Sequence, residues 1–328
     1  MSWREVRALV TGGAGFIGSH IARALVKRGA EVFVLDRKFG PSSSFSLMGL
    51  EGRVTRIEGD VRDKDAVLEV LASCSITHVF HLAALAVVGE AARAPSVAFD
   101  VNVRGTWAVL EAARAYGGCE AILVASSDKA YGEQPRLPYT EDMPLLGSDP
   151  YSASKACADI VARSYGLTYD LPVVVVRASN AYGEGDVNMS RIVPSVVVPA
   201  LRGKRPVLRS DGTLLRDYIY VGDLAEAYLA LAERAKEEGV RGEAFNVGSG
   251  RPLSVLEFTR AILRAVGRED LKPVILGEAR GEISRQFVDI SRIKERTGWE
   301  PKTSLEEGLR RTVEWYRENL GRLPSPPS

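Results

Sequence analysis

Residues 7–18 read Arg7-Ala8-Leu9-Val10-Thr11-Gly12-Gly13-Ala14-Gly15-Phe16-Ile17-Gly18: an apolar run breaks at Thr11 and passes directly into Gly12-x-x-Gly15-x-x-Gly18. This order predicts a strand near Arg7–Thr11, a tight turn, and a helix near Gly15–Arg28. Lacking a Cβ, glycine lets the turn tighten and lets backbone come close to a ligand. The helix N-terminus beyond it offers unpaired amides and the positive end of a dipole, which suit a pyrophosphate. Gly12, Gly15, Phe16, Ile17 and Gly18 are therefore candidate dinucleotide contacts.

Further β-branched runs lie near Glu31–Leu35, Val54–Glu58, Thr77–Leu82, Ala121–Ala125 and Val173–Arg177. Helical patterns separate them near Lys64–Ala72, with Asp63 as N-cap, and near Val97–Ala115 and Ser152–Tyr165. Strands apolar on both faces, alternating with helices, belong to a parallel sheet covered on both sides. The predicted class is α/β: a Rossmann-type doubly wound parallel sheet with a smaller mixed α/β substrate-binding domain. Residues 1–180 are read as the dinucleotide-binding part, with 217–240 returning to it. Residues 181–216 and 241–320 make up most of the second domain, and 321–328 a flexible tail. Helices are expected there near Asp223–Lys236, Ser254–Val266 and Ser304–Asn319.

Composition narrows the functional classes. The chain has 328 residues, 45% hydrophobic and 26% charged, with a net charge of +1, as in ordinary globular proteins. Such a balance creates no field that draws nucleic acid or an anionic membrane, and neither is expected as a partner. The apolar runs Val173–Val176 and Val193–Leu201 are too short to span a bilayer. Cys74, Cys119 and Cys157 stand apart from one another and from histidines, so no disulfide framework and no metal site is expected. A reducing, cytoplasmic setting is the expected one.

About twenty residues past the glycines the second strand ends at Asp36, where a carboxylate can accept ribose hydroxyls and repel a 2′-phosphate. The expected cofactor is NAD, although Arg37 beside it is able to pair with a 2′-phosphate. Asp60 and Val61, after the third strand, are placed to hold an adenine edge and face. Leu82, Ala83 and Ala84, after the fourth, are small enough for a close crossing. Taken singly, each of these also suits ordinary loop or core packing, and His81 reads as a hydrogen-bonded structural histidine.

Tyr151 and Lys155 lie four apart, on one face of a helix, so an ammonium can sit beside a phenol. That cation, together with a positively charged nicotinamide ring, lowers the phenol pKa toward working pH and makes Tyr151 a base. An exposed helical pair is the plain alternative. Ser126-Ser127-Asp128, at the carboxyl end of the fifth strand, adds a hydroxyl where open α/β sheets place ligands.

The motifs TGGAGFIGSH (11–20), GDVRD (59–63), HLAA (81–84), NVRGT (102–106), SSDKAYG (126–132), YSASK (151–155), RASNAYGEGD (177–186), RDYIYVGDLA (216–225), NVGSG (246–250) and DISRIKERTGWEPKTSLEEGL (289–309) carry a wider likeness. The chain resembles the extended short-chain dehydrogenase/reductase family, in particular its nucleotide-sugar epimerases and dehydratases, over nearly its whole length. The resemblance implies that Tyr151 and Lys155 are the catalytic pair and Ser127 their hydroxyl partner. It implies that Asn180, Arg216 and Arg280, with Arg285, contact a nucleotide sugar, and that Asn102 supports the cofactor site. It also implies a homodimer through Val97–Ala115 and Ser152–Tyr165, where Ala153, Ala156, Ala158 and Ala162 serve either that interface or packing within the monomer.

Relatives begin by oxidising the sugar at C4. A 4,6-dehydratase then needs a further acid and base, whereas a 4-epimerase does not. The resemblance assigns Asp128 as the acid. Lys129 stands where many dehydratases carry glutamate, and serves as base only if its pKa falls. The Asp-Lys pair is most similar to CDP-glucose 4,6-dehydratases. A 4,6-dehydratase of a CDP- or dTDP-glucose-like substrate is therefore expected, with a UDP-sugar 4-epimerase as the alternative and a non-catalytic NAD-binding sensor as a third reading.

Overall fold

The computed structural model describes residues 2–278 and 282–323. Its strands are β1 (Arg7–Thr11), β2 (Glu31–Asp36), β3 (Thr55–Glu58), β4 (His78–His81), β5 (Ala121–Ser127), β6 (Val173–Ala178), β7 (Asn180–Tyr182), β8 (Val207–Leu208), β9 (Leu215–Tyr220), β10 (Ala244–Val247), β11 (Pro252–Ser254), β12 (Val274–Ile275) and β13 (Arg285–Gln286). The helices of the first half are α1 (Phe16–Lys27), α2 (Ser44–Leu47), α3 (Lys64–Ser73), α4 (Val88–Arg93), α5 (Pro95–Phe99), α6 (Gly105–Tyr116) and α7 (Pro150–Tyr169). Those of the second half are α8 (Ile192–Leu201), α9 (Val221–Ala232), α10 (Val255–Val266), α11 (Ser291–Thr297) and α12 (Leu305–Asn319).

Seven parallel strands form the main sheet in the order β10-β6-β5-β4-β1-β2-β3. Successive residues of one strand feed opposite layers. Ala8 and Val10 of β1 pack with Ile21 and Leu25 of α1 and Leu224 and Tyr228 of α9, while Leu9 packs with Val67 and Leu71 of α3 and Val109 of α6. That two-sided burial is why the strand sequences are almost wholly apolar. The order runs outward from β1 in both directions, so a crevice opens at the carboxyl ends of β1 and β4.

The second half builds a smaller core. Val193, Val196 and Val197 of α8 pack with Phe258 and Ile262 of α10, Leu309 and Val313 of α12, and Tyr218 and Tyr220 of β9. A four-stranded sheet of β7, β9, β11 and β13 lines its inner side. The division of the chain differs from the sequence reading within 241–320. Ala244–Val247 pairs with β6 as the seventh strand of the main sheet, and Ile293 and Trp299 join the core beneath it. A four-residue run of Ala244, Phe245, Asn246 and Val247 is compatible with either sheet, and only the pairing with β6 decides.

Local signals set the helix ends. Asp63 caps α3 through Ala66 N (3.1 Å), and Ser254 forms a capping box with Glu257 at α10. Helix α7 starts earlier than expected, at Pro150, because Asp149 accepts from Tyr151 N (2.9 Å) and Ser152 N (3.1 Å). The helix expected over Val97–Ala115 is broken in two by a wide π-turn, Asp100–Arg104, joining α5 to α6. The Asn102 side chain explains the turn's position. It accepts from Leu85 N (2.7 Å) and donates to Ser154 Oγ (2.8 Å), while its carbonyl accepts from Thr106 Oγ1 (2.6 Å).

Candidate functional site

A cavity of about 390 Å³ runs along the carboxyl ends of β1, β2, β4 and β5. At one end it is walled by the glycine turn. Gly12 has φ +68°, and a Cβ there would stand 2.6 Å from Ala83 N, while one on Gly18 would stand 2.5 Å from Gly12 O. Both positions admit only glycine, the first by conformation and contact, the second by contact. Helix α1 begins on Gly15 with no side-chain cap and no acidic residue in its first turn, which leaves its leading amides and dipole for an anion. Asp36 stands across the turn, accepting from Ala14 N (3.0 Å) and Arg37 N (2.8 Å). Burial pushes its carboxyl up, and the two amides oppose this.

Gly12, Gly15, Phe16, Ile17, Gly18, Asp36, Asp60, Val61, Leu82, Ala83, Ala84, Tyr151 and Lys155 all line this cavity. Asn102 does not. It is buried beside the cavity and bonds Leu85, so it positions the loop after β4. His81 is likewise structural, bonded to Thr11 Oγ1 (2.7 Å) and Thr106 Oγ1 (3.2 Å). The cradle of glycines, the uncapped helix and the carboxylate at its rim fit NAD. Ser126 Oγ, buried on the cavity wall without a protein partner, fits a polar group there.

Of the candidate catalytic groups, Tyr151 and Lys155 line the cavity's other end, and Ser127, Asp128 and Lys129 are not among its lining residues. Tyr151 and Lys155 project from α7 toward the end of β5, where Lys155 Nζ donates to Ala125 O (2.7 Å). Burial pulls the Lys155 pKa down to about 8, opposed by Asp159. The expected lowering of Tyr151 draws on the nicotinamide charge as well as the ammonium, and the protein's own groups do not produce it. Burial pushes the phenol up to about 12, and Ser127 and Arg191 oppose this.

Ser127 donates to Asp128 Oδ1 (3.2 Å). Asp128 is 1% exposed, and its Oδ2 meets no protein partner. Burial raises its pKa, against Lys129, Ser127 and Arg216. Lys129 Nζ donates to Asn180 Oδ1 (3.1 Å), which ties two expected site residues to each other. Arg216 lies near Glu282 (3.2 Å), and Arg285 is exposed. Arg280 lies outside the described residues. Sequence reasoning missed Lys38, Ser43, Ala86, Val101 and Arg191 as cavity residues. Arg191 is the most consequential, at 3.1 Å from buried Asp186 and over the Phe16 ring at 5.8 Å. No local pattern signals it, because only the fold brings the start of α8 to the glycine turn.

The model of the NAD dependent epimerase/dehydratase family matches residues 8–248. The low-salt glycan biosynthesis protein Agl12 of Haloferax volcanii is 35% identical, over 94% of this chain and 97% of its own. The UDP-glucose 4-epimerase of Thermotoga maritima, solved with UDP-glucose, superposes with a TM-score of 0.88 at 33% identity, covering 96% of this chain and 100% of the other. DesIV, a dTDP-glucose 4,6-dehydratase from Streptomyces venezuelae solved with NAD, superposes with a TM-score of 0.85 at 32% identity, covering 97% and 99%.

Proposed function

The chain belongs to the NAD-dependent epimerase/dehydratase family, and from that premise we propose that it is a nucleotide-sugar 4,6-dehydratase acting on a CDP- or dTDP-glucose-like substrate. NAD, when bound, supplies the acceptor for the C4 hydride and the donor that returns it to C6, and its charged ring draws the Tyr151 pKa down. Tyr151 takes the proton of the C4 hydroxyl, which the Ser127 hydroxyl holds in place. Lys155 stabilises the resulting phenolate. Lys129 removes the C5 proton while Asp128 protonates the departing C6 hydroxyl, so that water leaves. A proton returned to C5 completes a 4-keto-6-deoxy sugar. Asn180 and Arg216, with Arg280 and Arg285, are assigned to the nucleotide sugar, where guanidinium forks suit a diphosphate.

The observation that carries this reading is the buried Asp128 carboxyl beside Ser127, with one oxygen that no protein group bonds. Burial favours its protonated form, as a general acid requires. Incubation with CDP-, dTDP-, GDP- and UDP-hexoses, followed by mass, tests it: loss of water is expected, and an unchanged mass with inverted C4 overturns it. The second reading, a UDP-sugar 4-epimerase, is favoured by the Lys129–Asn180 hydrogen bond, since an amine so engaged is not a free base.

The reading includes a homodimer. Trp107 on α6 and Ile160 and Leu167 on α7 are exposed apolar side chains that support it. Ala156, Ala158 and Ala162 are buried within the chain itself and lend no support. A monomeric mass in solution refutes the dimer.

A further inference from the structure

Arg177 carries a full charge in the centre of the protein, 1% exposed, on β6 alongside Ser126 of β5. Burying an ion is costly unless every donor is used. Its Nε and Nη2 form a fork onto both carboxylate oxygens of Asp159 (2.8 and 2.9 Å), itself wholly buried. Its Nη1 donates to Tyr131 OH (2.8 Å) and to Glu141 O (3.1 Å). The Tyr131 hydroxyl then donates to Asn246 Oδ1 (2.8 Å), and the guanidinium lies 4.9 Å from the Tyr131 ring centre.

Each end of this network leads to one group of candidate catalytic residues. Asp159 is on α7 at position i+8 from Tyr151 and i+4 from Lys155, hence on the same helical face. Tyr131 ends the 3₁₀ turn Asp128–Tyr131, whose first two residues are Asp128 and Lys129. We propose that Arg177 is a positioning residue: one buried guanidinium fixes α7 through Asp159 and the 3₁₀ turn through Tyr131, and so holds Tyr151 and Lys155 at a constant offset from Asp128 and Lys129. The proposal rests on the catalytic assignment of those four residues. A rigid fork is the side chain suited to this, since it joins two partners in one plane at fixed angles, which a lysine does not.

The arms are separated by two variants. Tyr131→Phe removes one hydroxyl and keeps the ring. The transient absorbance of reduced nicotinamide, which reports C4 oxidation, should keep its rate and pH profile, while overall turnover falls about ten- to a hundredfold because the acid and base are misplaced. Asp159→Asn should slow the transient itself. Its alkaline limb should move to lower pH, since the carboxylate that opposes loss of the Lys155 proton is gone. The other titratable and charged groups around that amine, Tyr151 on α7, His81 on β4 and Arg177 on β6, remain. If Asp159→Asn fails to fold, Asp159→Glu replaces it, with a slower transient at an unmoved limb. Equal loss of both steps in each variant, or a change in thermal stability alone, overturns the proposal. A wild-type protein that yields only C4 epimers removes the dehydratase reading, and the Asp159 variant's transient then decides the role of Arg177 by itself.

Discussion

The two ends of the crevice are made of different material. Around the glycine turn the wall is backbone, packed so closely that a single added carbon would stand 2.6 Å from Ala83 N. At the end of β5 the wall is side chains, with the Ser126 hydroxyl, the Tyr151 phenol and the Lys155 amine, and Ser126 Oγ meets no protein partner. The first end binds by shape and dipole, which tolerate little extra volume. The second, on the proposed function, works by proton placement, which tolerates little loss of a functional atom. The cofactor end should therefore fail when atoms are added, and the catalytic end when they are removed.

The largest effect expected from that contrast is at Tyr151. Tyr151→Phe deletes one oxygen and should lower turnover about 10²- to 10⁴-fold with NAD still bound, as a fluorescence titration of cofactor would report. Wild-type turnover in that variant refutes the assignment. Asp128→Asn removes the acid without changing shape, and should cost about a hundredfold in loss of water while C4 oxidation stays detectable as reduced nicotinamide; full dehydration contradicts it. Gly12→Ala is the complementary change. Its left-handed backbone alone costs about 1–2 kcal/mol before the contact with Ala83 is counted, so both melting temperature and NAD affinity should fall. Unchanged NAD affinity would erase the contrast. Asp36→Ala should weaken NAD by about tenfold and narrow its preference over NADP, measured by parallel titrations.

A separate effect concerns pH and neither end of the crevice directly. Burial holds His20 and His78 at about 4 and His81 at about 3. Between those values and the ordinary 6.5 the unfolded chain binds more protons, so stability rises with pH through that window and is lost on acidification. Melting temperatures from pH 7 to 4 should fall steadily, and a flat profile would show the imidazoles to be solvated.

The same contrast explains what the sequence revealed. The cofactor end is written in contiguous segments, because a turn, a strand end and a helix start each use neighbouring residues. Its lining was legible except for Lys38, Ser43, Ala86 and Val101, which lie in loops and helices between the motifs, and Arg191, which arrives from the second half of the chain. The proposed catalytic pair was legible from helical spacing, yet its electrostatics were not: the phenol pKa follows burial, which spacing does not report. Lys129 and Asn180, 51 positions apart, became partners only through folding. The seventh strand was missed for a like reason, since Ala244–Val247 takes its place from a distant neighbour and not from its own pattern.

The wide turn at Asp100–Arg104 has a further consequence for insertions and deletions. It contains one residue more per turn than a regular helix, so removing any one of the five would yield a straighter and locally more favourable rod. That rod would swing Asn102 about 100° from Leu85 and Ser154, releasing the loop after β4 that borders the crevice. A lineage that shortened this stretch would gain helical regularity and lose the clasp, so length here should be held more strictly than amino-acid identity.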